Sequence, residues 1–198
     1  MTDLIIETKS QEFIIHQRIL TLAESRGIKL TNYKQLSDSE FNNQYNAVGM
    51  FEYEGKKGAE SINIIFIGIS SAYMKKDKLN KLINLTNYDK YIIIITANKK
   101  IGIDNGEKNV EFLNGRETML RDYKAFFENR GIKIRIIKPD ELKEMTDFLF
   151  ISDIKRLPTI KSTCHECIYS GAEKGDVIEI ISTTPTTSLI TATLMYVD

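Results

Sequence analysis

The apolar positions change period several times along the chain, and each change marks an element. From Ser10 to Arg26, Phe13, Ile15, Ile19, Leu22 and Ala23 fall on roughly one face and Gly27 ends the run, which predicts a helix closed by a glycine. Ser37-Asp38-Ser39-Glu40 has the spacing of a capping box, opening a second, short helix through Phe41 and Tyr45. Val48 to Glu54 alternates and meets Gly55-Lys56-Lys57-Gly58, so it predicts one arm of a hairpin whose second arm is Ser61 to Ile69. Lys76 to Leu85 predicts a helix with Leu79, Leu82 and Ile83 inward. Lys75, Lys76, Lys78 and Lys81 form its water-facing side. Tyr91 to Thr96 is an uninterrupted apolar run, the pattern of a strand buried on both faces. Asn98 to Gly115 predicts a long loop, Arg116 to Asn129 a helix closed near Gly131, and Ile132 to Ile137 a strand. Alternating strands and helices with apolar central strands predict an α/β arrangement, a sheet sandwiched between helices.

Beyond Pro158 the punctuation becomes dense. Ser162 or Thr163 can cap a short helix, and Gly171 closes it because glycine tolerates the left-handed conformation. Glu173-Lys174-Gly175-Asp176 reads as a turn and Val177 to Ile181, β-branched between polar residues, as a strand. Ser182 to Ser188 is a loop around Pro185, and Leu189 to Val197 can pair back as a second strand.

Composition narrows the class. At 198 residues and 42% hydrophobic, the chain can bury one moderate core, or one core plus a small satellite domain. It has no run of about 18 apolar residues for a membrane span. Met1-Thr2-Asp3 lacks the basic start of a signal peptide. Cys164 and Cys167 are the only cysteines, too close along one helix to suit a structural disulfide, so an intracellular, reducing compartment is expected. Lys plus Arg and Asp plus Glu are 27 each; up to Phe150 they number 23 and 21 and beyond it 4 and 6, leaving +2 and −2. Neither part carries a field that would draw it onto nucleic acid unaided.

Candidate chemistry is sparse. Cys164-His165-Glu166-Cys167 holds half of a zinc site, but no second CxxC or HxxxH exists to complete four ligands, so packing is the expected role of both cysteines. Gly102, Gly106 and Gly115 form no phosphate-binding loop. A metal-dependent nuclease needs a carboxylate on one core strand and a Glu/Asp-x-Lys on the next. Tyr91 to Thr96 carries neither acid nor lysine. Asp140, Glu141 and Lys143 are too close together to lie on two strands and are expected to open one helix after Pro139. No catalytic or metal-binding set is expected.

The segment from Leu157 to Ile180 resembles the C-terminal domain of the fifth subunit of eukaryotic-type DNA-directed RNA polymerases, the domain that archaea keep alone as a small separate subunit. Leu157, Pro158 and Ile160 match its Leu-Pro-x-Ile, Tyr169 and Gly171 the first and last residues of its Tyr-Phe-Gly helix end, and Lys174, Gly175, Val177, Ile178 and Ile180 its following strand, without a gap. Cys164-His165 stands where the family has Asp-Pro, Ile168 where it has Arg, and Ser188-Leu189-Ile190 where its last strand begins with basic and aromatic residues. The order of elements from His16 to Tyr45 and through the hairpin also resembles the longer eukaryotic form.

The resemblance implies two domains: an N-terminal jaw domain over residues 1–145, a three-layer α/β/α unit with a restriction-endonuclease-like core, and a small α+β assembly domain over 146–198. It implies a non-catalytic subunit with no cofactor of its own. That subunit docks on the largest polymerase subunit through the matched residues, contacts other polymerase subunits, and forms part of the lower jaw near downstream duplex DNA, which it touches indirectly or weakly. Lys99 and Lys100, after a core strand, are the DNA-proximal candidates. An Ile-, Lys- and Asn-rich composition suggests an AT-rich genome, and a large DNA virus is the expected source. Localisation would then be host cytoplasm or virion, against the nucleus for a cellular polymerase. The competing readings are a metal-dependent nuclease, a stand-alone DNA-binding protein, or a free interaction module.

Overall fold

The computed structural model describes residues 10–68, 71, 75–96, 109–183 and 189–198. It is a mixed α+β protein with two sheets, and its chain divides into compact units between Arg121 and Asp122.

In the first unit, α1 (Gln11–Ser25) starts where the Ser10 hydroxyl accepts the Phe13 N–H at 3.2 Å, and buries Phe13, Ile15, His16, Ile19, Leu22 and Ala23. The chain passes through β1 (Lys29–Leu30) to Ser37, whose side chain and Glu40 cap α2 (Asp38–Val48) reciprocally, as the spacing predicts. Two strands, β2 (Met50–Lys57) and β3 (Glu60–Ile67), follow as an antiparallel hairpin. Its turn lies at Gly58 and Ala59, between the paired Lys57 and Glu60, later than expected. Gly55 lies inside the strand because neighbouring β1 comes close: a Cβ there would sit 2.8 Å from the Ile28 Cγ2.

Helix α3 (Lys76–Leu85) leads to β4 (Lys90–Ile95), parallel to β3, and β5 (Asn109–Asn114) is parallel to β4, giving the order β1-β2-β3-β4-β5. The register sets Ile65 and Ile67 beside Ile93 and Ile95 on one face, where Leu79 and Ile83 of α3 join them. On the opposite face Phe66 meets the rings of Tyr45 and Phe51, and Ile94 approaches Gly115 beside Ile15 of α1. Strand β4 is buried along its whole length, as its apolar run requires.

Two expectations fail here. The long loop expected over 98–115 contains β5, and Gly115 opens α4 (Gly115–Met119). The expected helix from Arg116 to Asn129 is two helices, α4 and α5 (Tyr123–Asn129), because Asp122 caps a new start by accepting the Ala125 N–H at 3.0 Å.

The second unit begins at that cap. After α5 come β6 (Ile132–Ile136), α6 (Pro139–Phe148), a 3-10 turn (Ile154–Arg156), β7 (Thr159–Ile160), α7 (His165–Ser170), β8 (Val177–Thr183) and β9 (Ile190–Val197). The sheet order is β6-β8-β9-β7: β8 is antiparallel to both neighbours and β7 parallel to β9. Strand β6 therefore belongs to the C-terminal sheet, and the unit starts at residue 122, earlier than the expected boundary near 145. The alternating Ile132, Ile134 and Ile136 face the same way as Ile178 and Ile180 of the neighbouring strand β8, and Ile134 and Ile136 pack against the core that holds Ile178. Among the described residues no helix is long and apolar enough to cross a membrane.

Candidate functional site

The segment singled out by its punctuation folds around a small apolar core of Cys167, Ala172, Ile178 and Val197, with Ile134, Ile136, Ile160, Ile180 and Met195 packed against it. Pro158 enters the sheet: its carbonyl accepts the Tyr196 N–H at 2.9 Å, and Thr159 and Ile160 then pair with Tyr196 and Val197. Helix α7 starts at Cys164 rather than at Ser162 or Thr163, because a turn in which the Cys164 N–H donates to the Lys161 carbonyl takes up both of those residues. It ends at Gly171, held at φ 74° with its N–H on the Cys167 carbonyl at 2.8 Å, a conformation a side chain disfavours.

The following turn closes when the Asp176 carboxylate accepts the Glu173 N–H at 2.7 Å and the Gly175 N–H reaches the Val197 carbonyl at 2.9 Å. Lys174 at its tip pairs with Asp198 across 3.1 Å.

The matched residues thus divide. Tyr169, Val177 and Ile178 are buried, Ile160 and Ile180 are half-buried against the same core, and Leu157 and Gly171 are intermediate. Pro158, Lys174 and Gly175 are exposed. The apolar members chiefly hold this unit together.

The Cys/His run is pulled apart. Cys167 lies in the core, where burial, with Cys164, Glu166 and Asp176 nearby, pushes its thiol up to about 11. His165 stacks on Tyr123 with ring centroids 3.7 Å apart, within an aromatic group that includes Phe127 and Tyr169. Among the described residues no group of three or more His, Cys, Asp or Glu side chains is placed to hold a metal. Asp140 and Glu141 lie in the first turn of α6, and Glu141 is bound by Arg135, which also binds Glu179 at 2.6 Å. Lys99 and Lys100, the DNA-proximal candidates, lie outside the described residues.

Two buried polar centres in the first unit are not among the candidates that sequence pattern suggests. Glu111 on β5 is held by Arg26 through hydrogen bonds of 2.7 and 2.8 Å, with Lys90 at 3.5 Å. Burial raises the Glu111 carboxyl, and the two cations outweigh it, leaving its pKa below the usual carboxylate value. His16 on α1 shares a 2.5 Å hydrogen bond with the Tyr53 hydroxyl inside a cage of Phe13, Tyr33, Phe41 and Phe51, and burial lowers its pKa to about 4. Its Nε2 is buried without a hydrogen-bond partner among the described residues. The Ser10 to Gly27 periodicity does place His16 beside inward positions, and that was the available signal. Nothing local pairs Arg26 with Glu111, 85 residues away.

Compared with protein-family models and with curated proteins, the chain matches none.

Proposed function

We propose that the chain is a non-catalytic subunit of a multisubunit DNA-directed RNA polymerase. Its C-terminal unit would dock on the largest subunit, and its N-terminal unit would form part of the lower jaw near downstream duplex DNA. The observation that carries the reading is the ungapped resemblance from Leu157 to Ile180, in which each punctuating residue acts on the backbone. Pro158 enters β7, Gly171 ends α7 in the left-handed region, and Gly175 turns into β8 at φ 101°. The helix, the hairpin and a parallel strand reached through α3 are in keeping with a degenerate three-layer, restriction-endonuclease-like jaw. Nuclease chemistry is disfavoured by the partly buried acid Glu111, which faces Arg26 and Lys90 rather than a second carboxylate that would share a metal ion. Localisation follows the polymerase: nucleus for a cellular enzyme, host cytoplasm or virion for a viral one.

Affinity purification of the full tagged chain from its natural source is the test. Recovery with the very large polymerase subunits is expected. Magnesium-dependent cleavage of DNA by the isolated chain, without those subunits, would transfer the assignment to a nuclease.

A further inference from the structure

Helix α6 contains no buried residue, unlike the other two α-helices of the C-terminal unit, α5 and α7. Its apolar side chains are nevertheless ordered. Leu142, Met145 and Leu149 recur at helical spacing as one stripe, the first two half-buried and Leu149 exposed. At the C-terminal end Phe148 is 81% and Phe150 94% exposed, so large apolar rings stand in water close to one another in sequence.

The backbone here is also unusual. Phe150 is the only non-glycine among the described residues with positive φ, at 54°. Its N–H donates to the Asp147 carbonyl at 3.3 Å and the next N–H, of Ile151, reaches back to Thr146 at 2.8 Å, a helix-ending turn that glycine ordinarily occupies. A phenylalanine at this place costs the fold twice, once in backbone conformation and once in exposed apolar surface. With its side chain almost wholly in water, the ring offsets neither cost by packing among the described residues.

Charge defines what could cover it. Asp140, Glu144 and Asp147 follow one another at i, i+4 and i+7, so they line a stripe beside Phe148, and all are exposed. Glu141 is neutralised by Arg135, but these three form no ion pair among the described residues. An apolar stripe ending in projecting rings and bordered by unneutralised carboxylates is the ligand half of a helix-in-groove contact.

We infer that α6 with its Phe148–Phe150 turn is the docking element of this unit, and that its occupant is an apolar groove rimmed by Lys or Arg on the largest polymerase subunit. The inference rests on the polymerase reading and deepens it. It transfers the anchoring role from buried side chains such as Val177 and Ile178 to exposed rings absent from the matched motif.

The test uses the full chain, tagged and purified from its natural source, with the largest subunit quantified per mole of chain. Phe150→Gly suits the turn's backbone and should keep the fold, while Phe148→Ser removes the second ring. The double variant should recover at least about tenfold less largest subunit, with far-UV circular dichroism unchanged. The triple variant Asp140→Lys, Glu144→Lys, Asp147→Lys should lose several-fold recovery and the decline of wild-type recovery with added salt. Equal recovery with the folded double variant overturns this inference and leaves the polymerase assignment standing. Absence of the polymerase from the wild-type preparation overturns both. If sedimentation shows the isolated wild type dimeric and the double variant monomeric, the face belongs to a second copy and the inference also falls.

Discussion

Arg26, the residue that ends α1, and Glu111, in the middle of β5, meet through two parallel guanidinium–carboxylate hydrogen bonds of 2.7 and 2.8 Å. The pair ties the first helix to a strand far along the chain, and Lys90 makes it a triad. The partners should not be equally costly to remove. Arg26→Met leaves Glu111 facing Lys90, whereas Glu111→Gln leaves two largely buried cations facing each other. We expect Glu111→Gln to cost about 4 kcal/mol and Arg26→Met less, with Arg26→Met/Glu111→Gln less destabilising than the sum of the two single changes. Urea denaturation of the four proteins measures the order, and a harmless Glu111→Gln would contradict it.

His16 makes stability depend on pH. Its folded pKa is about 4 against an ordinary 6.5, so between these values the unfolded chain binds more protons than the folded one. Stability should therefore fall as pH drops through that window, by about 3 kcal/mol once below it from this group alone. In a His16→Phe/Tyr53→Phe variant, which also removes the partner hydroxyl, the dependence between pH 4 and pH 6.5 should flatten. An unchanged slope in chemical denaturation would show that the proton enters elsewhere.

The cysteines should differ in reactivity. Cys167 is fully buried with a raised pKa, while Cys164 is partly exposed at the start of α7. A thiol reagent at neutral pH should label Cys164 in the folded protein and Cys167 only on unfolding. Mass mapping of labelled peptides decides it; rapid labelling of both would refute the burial.

Phe150→Gly should make the isolated chain more stable, by about 1 kcal/mol, because the left-handed backbone is strained for phenylalanine and not for glycine. A raised thermal midpoint checks this. Such a gain would show that the native residue is not there for stability.

The sequence was most readable where one short stretch holds the whole cause. The Ser37–Glu40 capping box, Gly27, Gly171 and the uninterrupted run at Tyr91 to Ile95 each act through neighbours along the chain. Errors came where a distant partner or a single side chain decides. Asn109 to Asn114 has no strong alternation and becomes a strand because β4 offers it a parallel edge. Asp122 splits an otherwise continuous helical pattern with one hydrogen bond. Ile132 to Ile136 has the pattern of a strand and is one, but nothing in those residues says which sheet it joins. The Leu157 to Ile180 punctuation was visible, whereas the division of its apolar residues between core and surface depends on packing that spacing does not encode.

The pairing of β6 with β8 has a practical consequence for anyone who divides this protein. A fragment beginning just after Phe150 would hold every residue from Leu157 to Ile180 yet lose β6, leaving β8 with an open row of peptide groups from Ile178 to Ser182. Such an edge templates foreign strands, so that fragment should self-associate and adhere indiscriminately. A fragment beginning at Asp122 keeps β8 paired with its native edge strand β6 and retains the cap of α5. Binding seen with the shorter piece would report the cut, not the protein.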